Sequence, residues 1–391
     1  METSVLVAGA RTPVGKLLGA LGTLRAPELG AVAIRAALER AGVSAEQLDA
    51  VVLGNVVQAG VGANPARQAA AAGGVPLTVP ATTINKLCLS GLTAIGQADL
   101  AIRAGQWRIA LAGGIESMTN APFLLPGARR GFKYGATAML DSLDQDALIC
   151  SLENEVMGAA TERHQRPLGI TREDQDVFAA HSHAKAAAAI AEGRSAEEIV
   201  PVTVRARGGD VVVDTDEGVR PGTTVEVLGH LKPAFGGTIT AGSASQLSDG
   251  AAAMVIMAKS EAESLGLDWI AEIVSYGTTA GPDPSLLHQP AGAITDALRR
   301  ADGVELGDLS VVEINEAFAG VPIASARQLG LDLARVNPNG GAIAIGHPVG
   351  MSGARLVLSL ALELRRRGGG YGAAALCGGG GQGDALILRV P

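Results

Sequence analysis

The chain repeats itself. Ala37-Leu38-Glu39-Arg40-Ala41-Gly42-Val43, followed by Leu48 and Val51-Val52, returns about 260 residues later as Ala297-Leu298-Arg299-Arg300-Ala301-Asp302-Gly303-Val304, followed by Leu309 and Val311-Val312. Ser90-Gly91 opens a helical pattern that leads into Ile109-Ala110-Leu111-Ala112-Gly113-Gly114. Ser352-Gly353 opens another that leads into Ala373-Ala374-Ala375-Leu376-Cys377-Gly378-Gly379. Two long copies describe a duplicated domain rather than a solenoid. Each copy alternates short apolar runs with helical stretches: strands at 5–8, 50–53, 108–113 and 311–314, helices at 27–41 and 89–104. The strand runs do not alternate polar and apolar residues, which predicts sheets buried on both faces in a layered α/β fold.

Residues 119–248 differ in texture and have no counterpart in the second copy, so they read as an insertion. They hold a basic loop, Pro126-Gly127-Ala128-Arg129-Arg130-Gly131-Phe132-Lys133, and a long helix predicted at 172–192. Thr171 and Asp174 are placed to form its capping box and Gly193 its stop. His181 and His183, two apart on that helix, point in different directions and are assigned to its solvated face. Asp249 to Met257 returns to buried-strand character and is expected to rejoin the first sheet. The expected division is therefore 1–118 plus 249–270, an insertion at 119–248, and 271–391.

With 391 residues, 47% of them hydrophobic, the chain can bury a large core. Aromatics are only 3% while glycine numbers 53, so that core must be built from small residues with closely approaching backbones. A net charge of −8 argues against nucleic acid as a partner. No run of about 18 apolar residues suggests a membrane span, and the N-terminus lacks the pattern of a signal or transit peptide. Three cysteines without a secretory signal point to free thiols in the cytoplasm.

Three stretches carry reactive residues beside glycine-rich backbone. Cys88, in Asn85-Lys86-Leu87-Cys88-Leu89-Ser90-Gly91, precedes a predicted helix, whose N–H groups and dipole are expected to lower the thiol pKa. A lone cysteine is also a common small core residue, and both readings stand from the residues alone. His347 sits between Gly346 and Pro348, a backbone course suited to a general base or oxyanion donor, or to a turn. Cys377 precedes Gly378-Gly379-Gly380-Gly381, where glycine allows N–H groups to approach a ligand. A strand rather than a helix follows these glycines, which disfavours dinucleotide binding. No Lys-Ser/Thr ending makes a phosphate loop, and no Cys-x-x-Cys pair makes a zinc site. Cys150 is read as structural or incidental. Asn315-Glu316-Ala317-Phe318 follows a strand, at the sheet edge where α/β proteins bind ligands, though Asn315 could equally be a cap.

In this order and spacing the four stretches resemble the signatures of the thiolase family, and the resemblance runs from Val5-Leu6-Val7-Ala8-Gly9-Ala10-Arg11-Thr12-Pro13 to the final strand. Within that family the pattern is similar to the short-chain acetyl-CoA acetyltransferases. It implies a duplicated, layered α/β/α/β/α fold with an inserted loop domain. It also implies that Cys88 attacks an acyl-CoA while His347 takes its proton, and that Cys377 then deprotonates a second acetyl-CoA. The resulting carbanion condenses with the acyl group to give acetoacetyl-CoA. One oxyanion site would use His347 and a water held by Asn315. The other would use the backbone N–H groups of Cys88 and Gly379. Coenzyme A is substrate and product, and no cofactor or metal is implied. Arg220 and Ser245 would meet the CoA arm, and Leu148, Met157, Phe235 and Phe318 would line the substrate path. A homodimer or homotetramer is expected. The chain departs from the family pattern at Gly242-Ser243-Ala244-Ser245-Gln246, Val156-Met157-Gly158 and His288-Gln289-Pro290. A degradative thiolase for longer or carboxylated acyl groups, or a non-catalytic acyl-CoA or lipid binder, are the alternatives. The intact set of reactive residues disfavours the second.

Overall fold

The apolar runs pair as strands of one mixed sheet in the computed structural model, which describes residues 2–391. The nine principal strands are β1 (Ser4–Arg11), β2 (Ala50–Gly54), β3 (Ala81–Ile84), β4 (Ile109–Ser117), β5 (Ser248–Ala258), β6 (Ala271–Ala280), β7 (Leu309–Ile314), β8 (Gly370–Gly378) and β9 (Gln382–Val390). Their order across the sheet is β7-β8-β9-β6-β1-β5-β4-β2-β3. The second copy mirrors the first: β7, β8, β9 and β6 stand where β2, β4, β5 and β1 stand. β2 lies parallel to β4 as β7 does to β8. A single parallel bridge from Val312 to Val336 replaces β3 in the second copy.

The two half-sheets join through only three residue pairs, Ser4↔Ile273, Val5↔Glu272 and Leu6↔Ala271. Beyond Leu6, β1 continues with β5 while β6 continues with β9. The halves diverge there and enclose two helices, α3 (Ser90–Arg103) and α8 (Ser352–Arg366), each of which touches strands of both halves. In α8, 13 of 15 residues are buried, which only an interior layer permits. Burial of each of its Leu and Val side chains contributes about 1.5–3 kcal/mol. Outside, α1 (Ala26–Ala41) and α2 (Pro65–Ala72) cover the first half-sheet, while α6 (Gln289–Arg299) and α7 (Gly320–Leu329) cover the second. The result is five layers.

Residues 118–247 add no strand to the main sheet; their strands form three separate two-stranded ribbons. α4 (Met157–Gln165) and α5 (Arg172–Ala191) belong to this segment. Thr171 and Asp174 exchange their capping-box bonds at 3.0 Å each, as the spacing predicts. The assignment of both histidines to the solvated face is corrected. His181 is exposed, but His183 is buried against Arg220, whose backbone N–H donates to His183 Nδ1 at 3.1 Å. The helix faces solvent on one side only, and two residues of rotation carry His183 to the other. Arg11 at the end of β1 ties the segment down, with Nε on Glu198 at 2.7 Å and a bidentate grip on Asp216.

α3 and α8 meet at their first turns with almost no side chain between them. A Cβ on Gly91 would sit 2.9 Å from the Gly350 carbonyl oxygen. One on Gly54 would sit 2.7 Å from that oxygen and from the Gly91 nitrogen. Gly114 is closed off by the same carbonyl, and Gly353 by the Leu92 backbone. Gly54→Ala is therefore expected to destabilise by about 1–3 kcal/mol through overpacking. Gly307→Ala, where a Cβ meets nothing, should be neutral or slightly stabilising. Urea unfolding of both variants measures the contrast.

Candidate active site

The turn before α3 sets the position of the first thiol. Leu87 adopts φ +53°, a left-handed conformation unusual for leucine. Side chains on either side hold it there. Asn85 Oδ1 accepts the Leu87 N–H at 3.0 Å, and Ser90 Oγ accepts the Lys86 N–H at 2.8 Å while donating to the Leu87 carbonyl at 2.6 Å. Cys88 is 8% exposed, with the backbone N–H groups of Cys88 itself and of Gly379 near its sulfur. The expectation of a lowered thiol pKa is corrected: burial pushes it up to about 12, and the two N–H groups offset this only in part. Desolvation of the anion outweighs the helix terminus, because Cys88 lies two residues before the first helical residue in an apolar pocket.

The second thiol comes from the other half. Cys377 is the penultimate residue of β8, and Gly380 and Gly381, both at positive φ, turn the chain into β9. Burial and the nearby Cys88 raise its pKa as well. Gly378 and Gly379 lie flush against the first-half turn. A Cβ on Gly378 would be 2.7 Å from Leu89 Cγ, and one on Gly379 would be 2.9 Å from Leu87 Cδ1 and would strike Met157 Cε. Glycine is what allows this strand end to lie directly against the Cys88 turn.

His347 is fixed by its own neighbours. Its N–H points to the Gln246 carbonyl at 3.1 Å and Ser248 Oγ at 3.2 Å. Ser352, in the first turn of α8, donates its hydroxyl to the Pro348 carbonyl at 2.9 Å and lies 2.6 Å from His347 Nδ1. With the serine proton committed, Nδ1 is assigned as the donor and Nε2 carries the lone pair. Asn315, fully buried at the end of β7, points Nδ2 at Nε2 from 3.4 Å and leaves Oδ1 without a protein partner. Burial, then the charge of Arg355, lowers the imidazole pKa to about 3, so the ring is neutral.

The remaining residues named from sequence divide into two groups. Met157 touches the Gly379 position, and Phe235 stacks edge-to-face on Phe318 with centroids 6.3 Å apart. Leu148 packs on the same apolar cluster as Cys88. The Ser245 N–H donates to the Ala317 carbonyl at 3.0 Å, beside Phe318. Arg220 stands apart, exposed and next to His183. Cys150 is buried and lines a small gap with Met157, His164 and Gly379.

Sequence reasoning missed Ser352 as the partner of His347, although Ser352 marks the repeat. It also missed Glu116. By the ladder registers, Glu116 on β4 occupies the position that Cys377 holds on β8: Gly250 pairs with Glu116 as Gly383 pairs with Cys377. The Glu116 carboxyl accepts N–H groups from Val56, Val57 and Gly350, and the Asn55 amide at 2.7 Å. Burial nevertheless pushes its pKa up to about 7. An acidic residue inside an otherwise apolar strand, Gly113-Gly114-Ile115-Glu116, was the available signal.

Comparison with known proteins bears directly on this arrangement. The thiolase N-terminal domain family matches residues 4–260 and the thiolase C-terminal domain family residues 267–390. A probable acetyl-CoA acetyltransferase of Mycolicibacterium smegmatis is 56% identical over 98% of this chain and 100% of its own length. Acetyl-CoA acetyltransferases of Pseudomonas aeruginosa and Escherichia coli are 49% and 44% identical, each over at least 99% of both chains.

Since the thiol pKa is raised, the thiolate fraction should grow steadily with pH. Alkylation of Cys88 by iodoacetamide is expected to accelerate about tenfold per pH unit between about pH 7 and pH 10 without levelling. A plateau near neutral pH would instead reveal a preformed thiolate.

Proposed function

Because the chain belongs to the thiolase family, we propose that it is an acetyl-CoA C-acetyltransferase that condenses two acetyl-CoA molecules to acetoacetyl-CoA and CoA, reversibly. The observation that carries this reading is the meeting of two thiols from opposite halves, where Gly378 and Gly379 beside Cys377 lie flush against Leu89 and Leu87 on either side of Cys88. The proposed sequence begins with Cys88 and His347 both neutral. As the Cys88 sulfur attacks the thioester carbonyl, Nε2 of His347 takes the thiol proton, and the proton leaves with CoA. The product is an acetyl thioester on Cys88. A general base that starts neutral avoids burying an ion pair before substrate arrives.

In the second half-reaction Cys377 gives its thiol proton to Nε2 of His347, which the departure of CoA has left neutral, and the resulting thiolate removes an α-proton from a second acetyl-CoA. The enolate carbon attacks the Cys88-bound acetyl carbonyl, the C–S bond breaks, the Cys88 sulfur takes back a proton from His347, and acetoacetyl-CoA leaves. Charge developing on each carbonyl oxygen needs donors already in place. We assign one site to the Cys88 and Gly379 N–H groups, and the other to His347, protonated on Nε2 at that stage, with a water held by Asn315. The chemistry is redox-neutral and the thioester is already activated, so we assign no separate cofactor or metal. Met157 and Leu87 closing against Gly379 support a short acyl group, and Leu148, Phe235 and Phe318 extend that wall. Ser245 and Arg220 are assigned to the CoA arm.

We place the enzyme in the cytoplasm, where its three free cysteines stay reduced. No helix among the described residues is long and apolar enough to cross a membrane. A homodimer or homotetramer is supported by the outer edge of β3, which has no partner strand among the described residues, and by exposed Phe123, Phe132, Tyr134 and Met139 on the inserted segment.

Incubation with acetyl-CoA alone should give an acetyl adduct on Cys88 with release of CoA, read by mass spectrometry. Cys377→Ala should still acylate, while its condensation rate falls about 10²–10⁴-fold. Failure of the folded parent to acylate Cys88 would end the proposal, and normal condensation by Cys377→Ala would refute the base. A panel of 3-ketoacyl-CoA chain lengths then tests the short-acyl preference.

A further inference from the structure

A buried carboxylate that the chemistry above does not use lies one residue from the strand partner of Cys377. Asp384 on β9 is fully buried and pairs with Leu376, while Gly383 pairs with Cys377. Its Oδ1 lies 2.7 Å from Nζ of Lys86, two residues before Cys88. Its Oδ2 accepts the Thr93 hydroxyl of α3 at 2.6 Å. Lys86 also reaches Thr278 Oγ1 at 3.4 Å. One carboxylate therefore joins the nucleophile turn and α3 of the first half to β9 of the second.

A buried ion pair adds little stability compared with apolar residues of the same shape, so its presence calls for another use. The neighbouring joint suggests one. Gly378 and Gly379 lie against Lys86, Leu87 and Leu89 through bare backbone and apolar contact, which resists compression but not sliding. An ion pair whose carboxylate also accepts the Thr93 hydroxyl has direction as well as strength. We propose that Lys86, Asp384 and Thr93 form a positioning clamp that sets the Cys88 turn against the Cys377 hairpin, and so sets the distance across which the carbanion meets the acetyl group. This rests on the thiolase reading. The clamp touches no reacting atom; it acts through the placement of both cysteines.

The two half-reactions separate such a role from plain stability. Exchange of labelled CoA into acetyl-CoA needs Cys88 but not Cys377, whereas condensation needs both in register. A shift of about 1 Å in reacting geometry can cost about 100-fold. The double variant Lys86→Met/Asp384→Asn, which leaves no unpaired buried charge, should keep CoA exchange within about threefold of the parent and lose at least about tenfold in condensation. Lys86→Arg should restore condensation. Thr93→Val, which keeps the ion pair, should move the ratio of condensation to exchange the same way by about two- to fivefold, and reads the clamp even where the double variant does not fold. Equal losses in both half-reactions, or condensation by the double variant within threefold of the parent, would refute the clamp and leave the enzyme reading intact. An unmoved ratio in Thr93→Val would do the same. A parent protein that exchanges no label would overturn the enzyme reading, and the clamp with it.

Discussion

The contact of α3 with α8 through glycine is what the rest of the molecule depends on. The Gly350 carbonyl sits where Gly54, Gly91 and Gly114 leave no side chains, and Gly353 meets the Leu92 backbone. This close approach brings the residues just before each helix into one region: Cys88 ahead of α3, His347 ahead of α8. Neither half has a site by itself. The three-pair join of β1 to β6 lets the half-sheets open around these helices, and the glycines let the helices close on each other. A composition poor in aromatics and rich in glycine follows from that geometry.

Duplication supplies two equivalent strand ends, and the chain has used them differently. On β4 the position holds Glu116, whose oxygens are filled by backbone N–H groups and Asn55, including the Gly350 N–H that steadies the turn beyond His347. On β8 the same position holds Cys377, whose thiol has no side-chain hydrogen-bond partner among the described residues and lies near Cys88. One copy has become a brace, and the other carries the thiol to which we assign the proton transfer. Burial then holds the site uncharged: both thiols are pushed up and the imidazole down. Substrate binding, rather than the resting enzyme, must supply the conditions in which charge develops.

Much of this was legible in the residues. The repeat predicted two like halves, the unalternated apolar runs predicted strands buried on both faces, and Thr171 with Asp174 marked the start of α5. Cys88, His347, Cys377 and Asn315 stood out because each has backbone-shaping neighbours. What escaped was set by tertiary packing. The helix-dipole argument at Cys88 could not register how completely the second half covers the sulfur. His183 looked solvated because a helical pattern alone does not say which face the Arg220 loop will cover. Glu116 and Asp384 each lie inside apolar runs, and their partners Asn55 and Lys86 are 61 and 298 residues away. Local pattern does not report such pairs.

The central claim is that the duplicated halves bring one thiol each to a single site. Treatment of the native protein with the short bifunctional thiol reagent 1,3-dibromoacetone, followed by digestion and peptide mass spectrometry, tests it directly. The account predicts one dominant cross-link, between the peptides carrying Cys88 and Cys377, suppressed by prior acetylation with acetyl-CoA. Independent single alkylation of the two cysteines, or a dominant link from either to Cys150, would contradict it.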